Sequence, residues 1–299
     1  MASASSIAVI INPISGTSGR VDVARRRVER ARAAIARRRL DGEVLVTAHH
    51  GHARELTRSL LSHGVSTVVA WGGDGTVNEV ASELAFRPET LAIVPSGSGN
   101  GLARELKIPF DPDRAFEVAF GGRDQIIDAG ELDGHLFFNI AGIGLDARVA
   151  HRFAEDGLLR RGFMRYLEIT ASELLSYQPD DHTVVADGES LRRRTLLIAI
   201  ANARQYGNGA LVAPQARVDD GKLDVVIVGH RSPLVALLQV PWVFAGQIGR
   251  LPGVVMRTAA DIEITSAHPV VYHVDGEPFV GAASITAHVR PHALRVRIP

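Results

Sequence analysis

The chain of 299 residues contains no cysteine. That excludes disulfides, thiolate metal sites and cysteine nucleophiles. It carries no net charge, with 33 basic residues against 33 acidic ones, which argues against a general nucleic-acid binder. A basic leader is missing too. MASASSIAVIIN has no positive n-region and runs straight into an apolar strand, so no signal peptide is expected and a cytoplasmic location is. No internal repeat is visible. One charge-free run, Ser232 to Gly249, only reaches the lower limit for a membrane span. Pro241 interrupts it, and Gln239, Gly246 and Gln247 dilute it. It reads first as a buried or lid helix, next as an interfacial helix dipping into lipid, and last as a span. The hydrophobic content of 46% and charged content of 22% fit a soluble globular chain long enough for two domains.

What is present is organised around Thr67 to Ala85, TVVAWGGDGTVNEVASELA. The β-branched run Thr67-Val68-Val69 suits a buried strand. It breaks at Gly72-Gly73-Asp74-Gly75, and Val77, Val80, Ala81 and Leu84 then recur at helical spacing. Thr76 and Glu79 fit a T-x-x-E capping box. A strand, a glycine turn and a helix N-terminus together can hold a phosphate, because backbone N–H groups and the helix dipole both face the anion. Asp74 fits such a site only if it meets a metal or a proton. An ordinary αL turn explains the same glycines.

The pattern recurs. IAVII (Ile7 to Ile11) is a buried strand, followed by Asn12-Pro13-Ile14-Ser15-Gly16-Thr17-Ser18-Gly19 and a helix over about Arg20 to Leu40. That helix carries Arg25, Arg26, Arg27, Arg30, Arg32, Arg37, Arg38 and Arg39. Such a run reads first as a solvated face, and second as an attraction to an anionic membrane. Glu43 to Thr47 alternates as a strand, and a helix over His52 to Ser62 ends at Gly64. Thr47 sits at the strand end where ligands bind in open α/β sheets. His49, His50 and His52 resemble a metal cluster, but with no carboxylate assigned to it the segment reads as a polar loop. Leu91 to Val94 leads into Pro95-Ser96-Gly97-Ser98-Gly99-Asn100-Gly101, the third glycine loop before a helix.

After about Gly122 the grammar changes. Asp133-Gly134, Asp187-Gly188, Asp220-Gly221 and Asp275-Gly276 are hairpin signals. They predict an antiparallel domain with hairpin arms Gln125 to Leu132 and His135 to Ala141, and a buried strand over Thr195 to Asn202. Helical inserts are expected near Phe163 to Ser176 and Pro233 to Gly249. The expected division is residues 1–125, α/β, and 126–292, a β-rich antiparallel sandwich. A last strand, about 293–299, is expected to return to the first domain.

GGDGTVNEV resembles the signature of the diacylglycerol kinase catalytic domain family, which includes bacterial lipid kinases and sphingosine kinases. The shorter GGDGT core is shared with NAD kinases, and Asn78-Glu79 favours the lipid branch. NPISG, PSGSGNGLARELKIP, FFNIAGIGLDARVA, the run from Ala201 to Val228 and DGEP near the C-terminus resemble further segments of that family. Two departures stand out. Ser98 replaces a threonine, and Gly101 replaces an aspartate of the magnesium-linked network.

The resemblance implies a NAD-kinase-like two-domain fold with a cleft between the domains. It implies ATP held by Asn12, Pro13, Ile14, Ser15, Gly16, Thr47, Gly72, Gly73, Asp74, Gly75, Thr76, Val77, Asn78, Glu79 and Ser98. Magnesium would be held by Asp220 and the carbonyls of Arg217 and Lys222, with Asp128 at another family acidic position. Glu277 and Asp74 are the catalytic candidates. Glu277 is the general base, or Asp74 takes that role and Glu277 orients the acceptor. The expected reaction is transfer of the γ-phosphate to a lipid hydroxyl, diacylglycerol first. Alternatives are a sphingoid base or other lipid, a soluble NAD-kinase-like activity, and a non-catalytic sensor. The expected partner is a lipid at the inner face of the membrane, reached by peripheral association. No nucleic acid is expected, and a homodimer is allowed for.

Overall fold

A computed structural model describes residues 6–16, 21–155 and 163–299. The chain separates into two compact units, Met1–Ile127 with His292–Pro299, and Asp128–Pro291. Residues 1–5, 17–20 and 156–162 lie outside the described residues.

In the first unit, β1 (Ile7–Ile11), α1 (Val21–Arg37), β2 (Gly42–Val46), α2 (His52–Ser62), β3 (Thr67–Gly72), α3 (Asp74–Leu84) and β4 (Thr90–Pro95) alternate. The strands lie parallel in the order β2-β1-β3-β4. Every residue of β1, β3 and β4 is buried, as expected of parallel strands covered on both faces. Helix α2 stops where Gly64 takes a φ of 79°. Val65 N–H then donates to the Leu60 carbonyl and Gly64 N–H to that of Leu61, a Schellman closure. Helix α1 ends at Arg37, short of the expected Leu40, and Arg39 is left-handed with a φ of 52°. Short α4 (Gly101–Glu105) and α5 (Pro112–Gly121) follow, the latter capped by Asp111, which accepts from Arg114 N–H. The closing strand is longer than expected. Residues Arg295 and Val296 of β15 (Ser284–Ile298) pair in parallel with β4.

The second unit is built on antiparallel pairs. They join β5 (Arg123–Leu132), β6 (His135–Phe137), β7 (Ile140–Gly144), β8 (Asp181–Ala186), β9 (Glu189–Ala201), β10 (Leu223–Gly229), β11 (Val254–Ala259), β12 (Asp261–Ser266), β13 (Val271–Val274), β14 (Glu277–Val280) and β15. Strand β9 serves two sheets. Its first half pairs with β8, and its second half pairs with β7 and β10. Alternation then sorts the core. Ile198, Ile200, Val225 and Ile227 face the sandwich interior with Ile262, Ile264 and Ile285. Ala199, Ala201, Val226 and Val228 face the other way, toward α6 (Leu145–Glu155) and α7 (Phe163–Ser176).

Three Asp-Gly pairs form the expected tight turns, with both residues at positive φ: Asp133-Gly134, Asp187-Gly188 and Asp275-Gly276. The fourth does not. Asp220 is absent from the left-handed residues, and Asp220-Gly221 ends an irregular stretch before β10 rather than joining two strands. The hairpin arm beginning at His135 also ends early, at Phe137. The next three N–H groups donate to the Asp275 carboxylate. The charge-free run yields α8 (Pro233–Phe244), which contains no buried residue, so of the expected buried or lid helix the buried alternative fails.

Candidate active site

Four loops leave one edge of the parallel sheet. Ile11 pairs with Val46 and with Trp71, and Trp71 pairs with Val94. The segments from Asn12, Thr47, Gly72 and Ser96 therefore emerge side by side. The chain runs from β1 outward to β2, then recrosses β1 to enter β3. That places the topological switch between β1 and β3, at the loops of Asn12 and Gly72, where open α/β sheets bind ligands.

These loops are laced together. Asn12 Nδ2 donates to Thr76 Oγ1 at 2.9 Å, and Asn12 N–H donates to the Trp71 carbonyl. The Ser15 and Ser96 hydroxyls lie 2.6 Å apart. Gly73 and Gly97 meet backbone to backbone, since a Cβ on Gly97 would lie 2.6 Å from the Gly73 Cα. Asp74 closes the set. Its two carboxylate oxygens accept from Asn100 N–H at 2.8 Å and Gly101 N–H at 2.7 Å. The third loop's helix start is therefore already occupied by Asp74, and Gly101 contributes its backbone to that contact. Ser98 is exposed, while Thr47 and Asn78 are buried.

Three expectations need correction here. The capping box does not form: α3 starts at Asp74, and its N-cap residue Gly73 has no side-chain cap. Glu79 instead reaches across to α2 and accepts from Gly51, Ala53 and Arg54 N–H groups. It caps a helix distant in sequence, where its charge suits the dipole. The arginine run is not wholly solvated. Half-buried Arg27 donates to the Asn12 carbonyl at 2.6 Å, to the Ser15 carbonyl at 2.8 Å and to the Ser15 hydroxyl at 2.9 Å. Burial lowers its pKa from the ordinary arginine value. Its spacing in the helix gave no signal that set it apart from its neighbours. The histidine loop does have a carboxylate: His49, His52 and Glu55 offer ligand atoms all within 4.8 Å. Yet His52 Nδ1 accepts from Ala48 N–H, which leaves the proton on Nε2 of the neutral ring.

The second unit gathers its own polar centre. Asp275 accepts from the N–H groups of Phe138, Asn139 and Ile140 at 2.9, 3.0 and 3.1 Å. That fixes the turn leading to Glu277, which pairs across the hairpin with Val274 and is partly exposed. Just before the turn, buried His273 accepts from Gly276 N–H through Nδ1, so its Nε2 proton faces Asp146 at 3.5 Å. Asp146 also accepts from the Tyr206 hydroxyl and from Ala147 N–H. Gly142 makes room for this network, because a Cβ there would lie 1.9 Å from Asp146 Oδ2.

Asp220 is exposed and accepts from Lys222 N–H at 3.2 Å, while buried Asp128 accepts from Gly221 N–H at 2.7 Å. An exposed carboxylate such as that of Asp220 is an oxygen donor of the kind a hard divalent cation takes. Asp224 is near enough to feel the Asp220 charge. Burial, and then the Asp220 charge, push its pKa from 3.8 up to about 6.

Two family models match the chain in turn. The diacylglycerol kinase catalytic domain family matches residues 6–132. The YegS C-terminal NAD kinase beta sandwich-like domain matches residues 139–298. The "Probable lipid kinase YegS-like" of Pseudomonas aeruginosa strain PAO1 is 36% identical over 287 residues, covering 91% of this chain and 90% of that one. Its namesake in Yersinia enterocolitica is 32% identical over 261 residues, covering 86% of each. A crystal structure of a diacylglycerol kinase from Bacillus anthracis str. Sterne superposes with a TM-score of 0.73 at 18% identity, covering 99% of this chain and 97% of that one. The last likeness concerns the fold alone.

Two predictions follow from this geometry. Arg27→Ala removes three hydrogen bonds to one loop, and amide exchange at residues 12–16 should accelerate while the α2 amides stay protected. Unchanged exchange at 12–16 would show that Arg27 is no clamp. Asp224 binds its proton more tightly in the folded chain than in the unfolded one. It therefore costs stability as pH rises from about 4 to about 6. Asp224→Asn should gain on the wild type across that window in urea unfolding, and a pH-independent difference would contradict the assignment. From its sequence matches and its architecture, the chain belongs to the diacylglycerol kinase family.

Proposed function

We propose that the protein is an ATP-dependent lipid kinase that transfers the γ-phosphate to a lipid hydroxyl, with diacylglycerol as acceptor and phosphatidic acid as product. The observation that carries the nucleotide half is the cluster of glycine loops at the switch point of the parallel sheet, braced by Asp74 and Arg27. Family membership and the names of the relatives support the kinase chemistry and the lipid acceptor. On this reading the loops at Asn12–Gly16 and Gly72–Thr76 bind the nucleotide phosphates. Thr47 and Ser98 border them, while Val77, Asn78 and Glu79 hold the loop's shape from beneath.

In the reaction the acceptor hydroxyl oxygen bonds to the γ-phosphorus, the bond from that phosphorus to the β-bridging oxygen breaks, and ADP leaves. Glu277 takes the hydroxyl proton. A magnesium ion supplies charge neutralisation on the phosphate oxygens in such transfers. Asp220 and the carbonyls of Arg217 and Lys222 are the residues that would hold it. His273, Asp146 and Tyr206 orient the hairpin carrying Glu277.

Substitutions separate these roles. Glu277→Gln keeps shape but cannot take a proton, so kcat should fall by about 10²- to 10⁴-fold with ATP affinity and melting temperature near normal. Asp74→Asn should weaken ATP binding as well, because its charge holds the Asn100–Gly101 loop. Asp220→Ala should shift the magnesium titration while the protein stays folded. If Glu277→Gln retains most of its turnover, the base assignment fails and passes to Asp74.

A further inference from the structure

Helix α8 is inside out for a soluble protein. Leu234, Leu238 and Trp242 are 67%, 65% and 45% exposed, and Val235 and Leu237 are exposed beside them. At 3.6 residues per turn these five, with Pro241, fall on one half of the helix circumference. The other half carries Ala236 and Val243, which pack on the cluster beside α7. It also carries Gln239, the helix's lone polar side chain after Pro233, which accepts from Arg231. The polar group thus faces the protein and the apolar ones face outward. A contiguous exposed apolar face of this kind marks an interaction surface.

The surrounding charge says what it meets. From residue 225 to residue 260 there is no aspartate or glutamate; Arg231 and Arg250 flank the helix in sequence, while Arg257 pairs with Glu189. Arg193 lies close to Arg231, and both donate to carbonyls of the turn at Pro252 and Gly253. A second copy docking through this face about a two-fold axis would set these arginines against one another. An anionic lipid surface would instead attract them, at about 1 kcal/mol each by the general rule. Trp242 on the apolar arc suits the headgroup boundary. The helix has 12 residues, about 18 Å at 1.5 Å per residue, too short for a hydrocarbon core of about 30 Å. Among the described residues no helix is long and apolar enough to cross a membrane.

We infer that α8 lies in the surface of an anionic bilayer, with Leu234, Leu238 and Trp242 inserted and the exposed Arg250 at headgroup level. This deepens the lipid-kinase reading, and rests on it for the reason the protein meets a membrane. The test uses the full chain and vesicles of phosphatidylcholine with or without phosphatidylglycerol, read by co-sedimentation without ATP. The wild type should bind the anionic vesicles and bind neutral ones more weakly. Leu234→Glu with Leu238→Glu should lose binding by about 100-fold or more, roughly tenfold per leucine withdrawn from lipid, with an unchanged melting temperature. Trp242→Ala alone should weaken binding in the same direction. Vesicle binding that survives the double substitution would overturn the inference. So would a wild-type dimer that fails to bind vesicles and becomes monomeric in the double variant. Vesicle binding with no label transferred when ATP, magnesium and diacylglycerol are then added to the same vesicles would retain α8 as a membrane element and reject the kinase reading instead.

Discussion

The contact between Asp74 and the backbone of Asn100 and Gly101 is the constraint on which the first unit's loops depend. A carboxylate among glycine loops is costly unless something satisfies it. Here two main-chain N–H groups at the start of α4 do so. The contact ties the loop after β3 to the loop after β4. Asn12 and Ser15 tie the loop after β1 to both, through Thr76 and Ser96. With glycines at the points of nearest approach, the three loops form one braced surface whose backbone is held before any ligand arrives. Preorganisation of this kind is what a phosphoryl-transfer site requires, since positioning and charge do most of the work.

The second unit uses the same device on a different scaffold. Asp275 sits in a tight turn and collects three N–H groups from the strand break between β6 and β7. Those donors would otherwise be orphaned where pairing stops. The turn is thereby fixed, and with it the start of β14 at Glu277. Buried His273 and Asp146, with half-buried Tyr206, form a polar chain behind the hairpin. Gly142 is the residue whose missing side chain leaves space for it.

Much of this was legible in the residues, and what was not has physical causes. Strands β1, β3 and β4 are continuous apolar runs, and α2 and α3 have clean periodicity, so the first unit's grammar was plain. The T-x-x-E pattern misled because a capping box is a local motif, whereas Glu79 serves a helix brought near only by the fold. Arg27 was hidden because sequence spacing does not tell one arginine among eight from another. Asp220-Gly221 looked like a hairpin turn because dipeptide chemistry carries no information about whether strands flank it. Helix α8 was expected first as a buried or lid helix and only second as an interfacial one, because its run is charge-free. Hydropathy reports a preference to leave water, and not whether protein or another medium receives the side chains.

The most direct measurement of the central claim is transfer of label from γ-labelled ATP, with magnesium, to a panel of diacylglycerol, sphingoid base and NAD. The account predicts labelled phosphatidic acid, with NAD unlabelled. Label on NAD alone, or no transfer to any acceptor while ATP still binds, would contradict it.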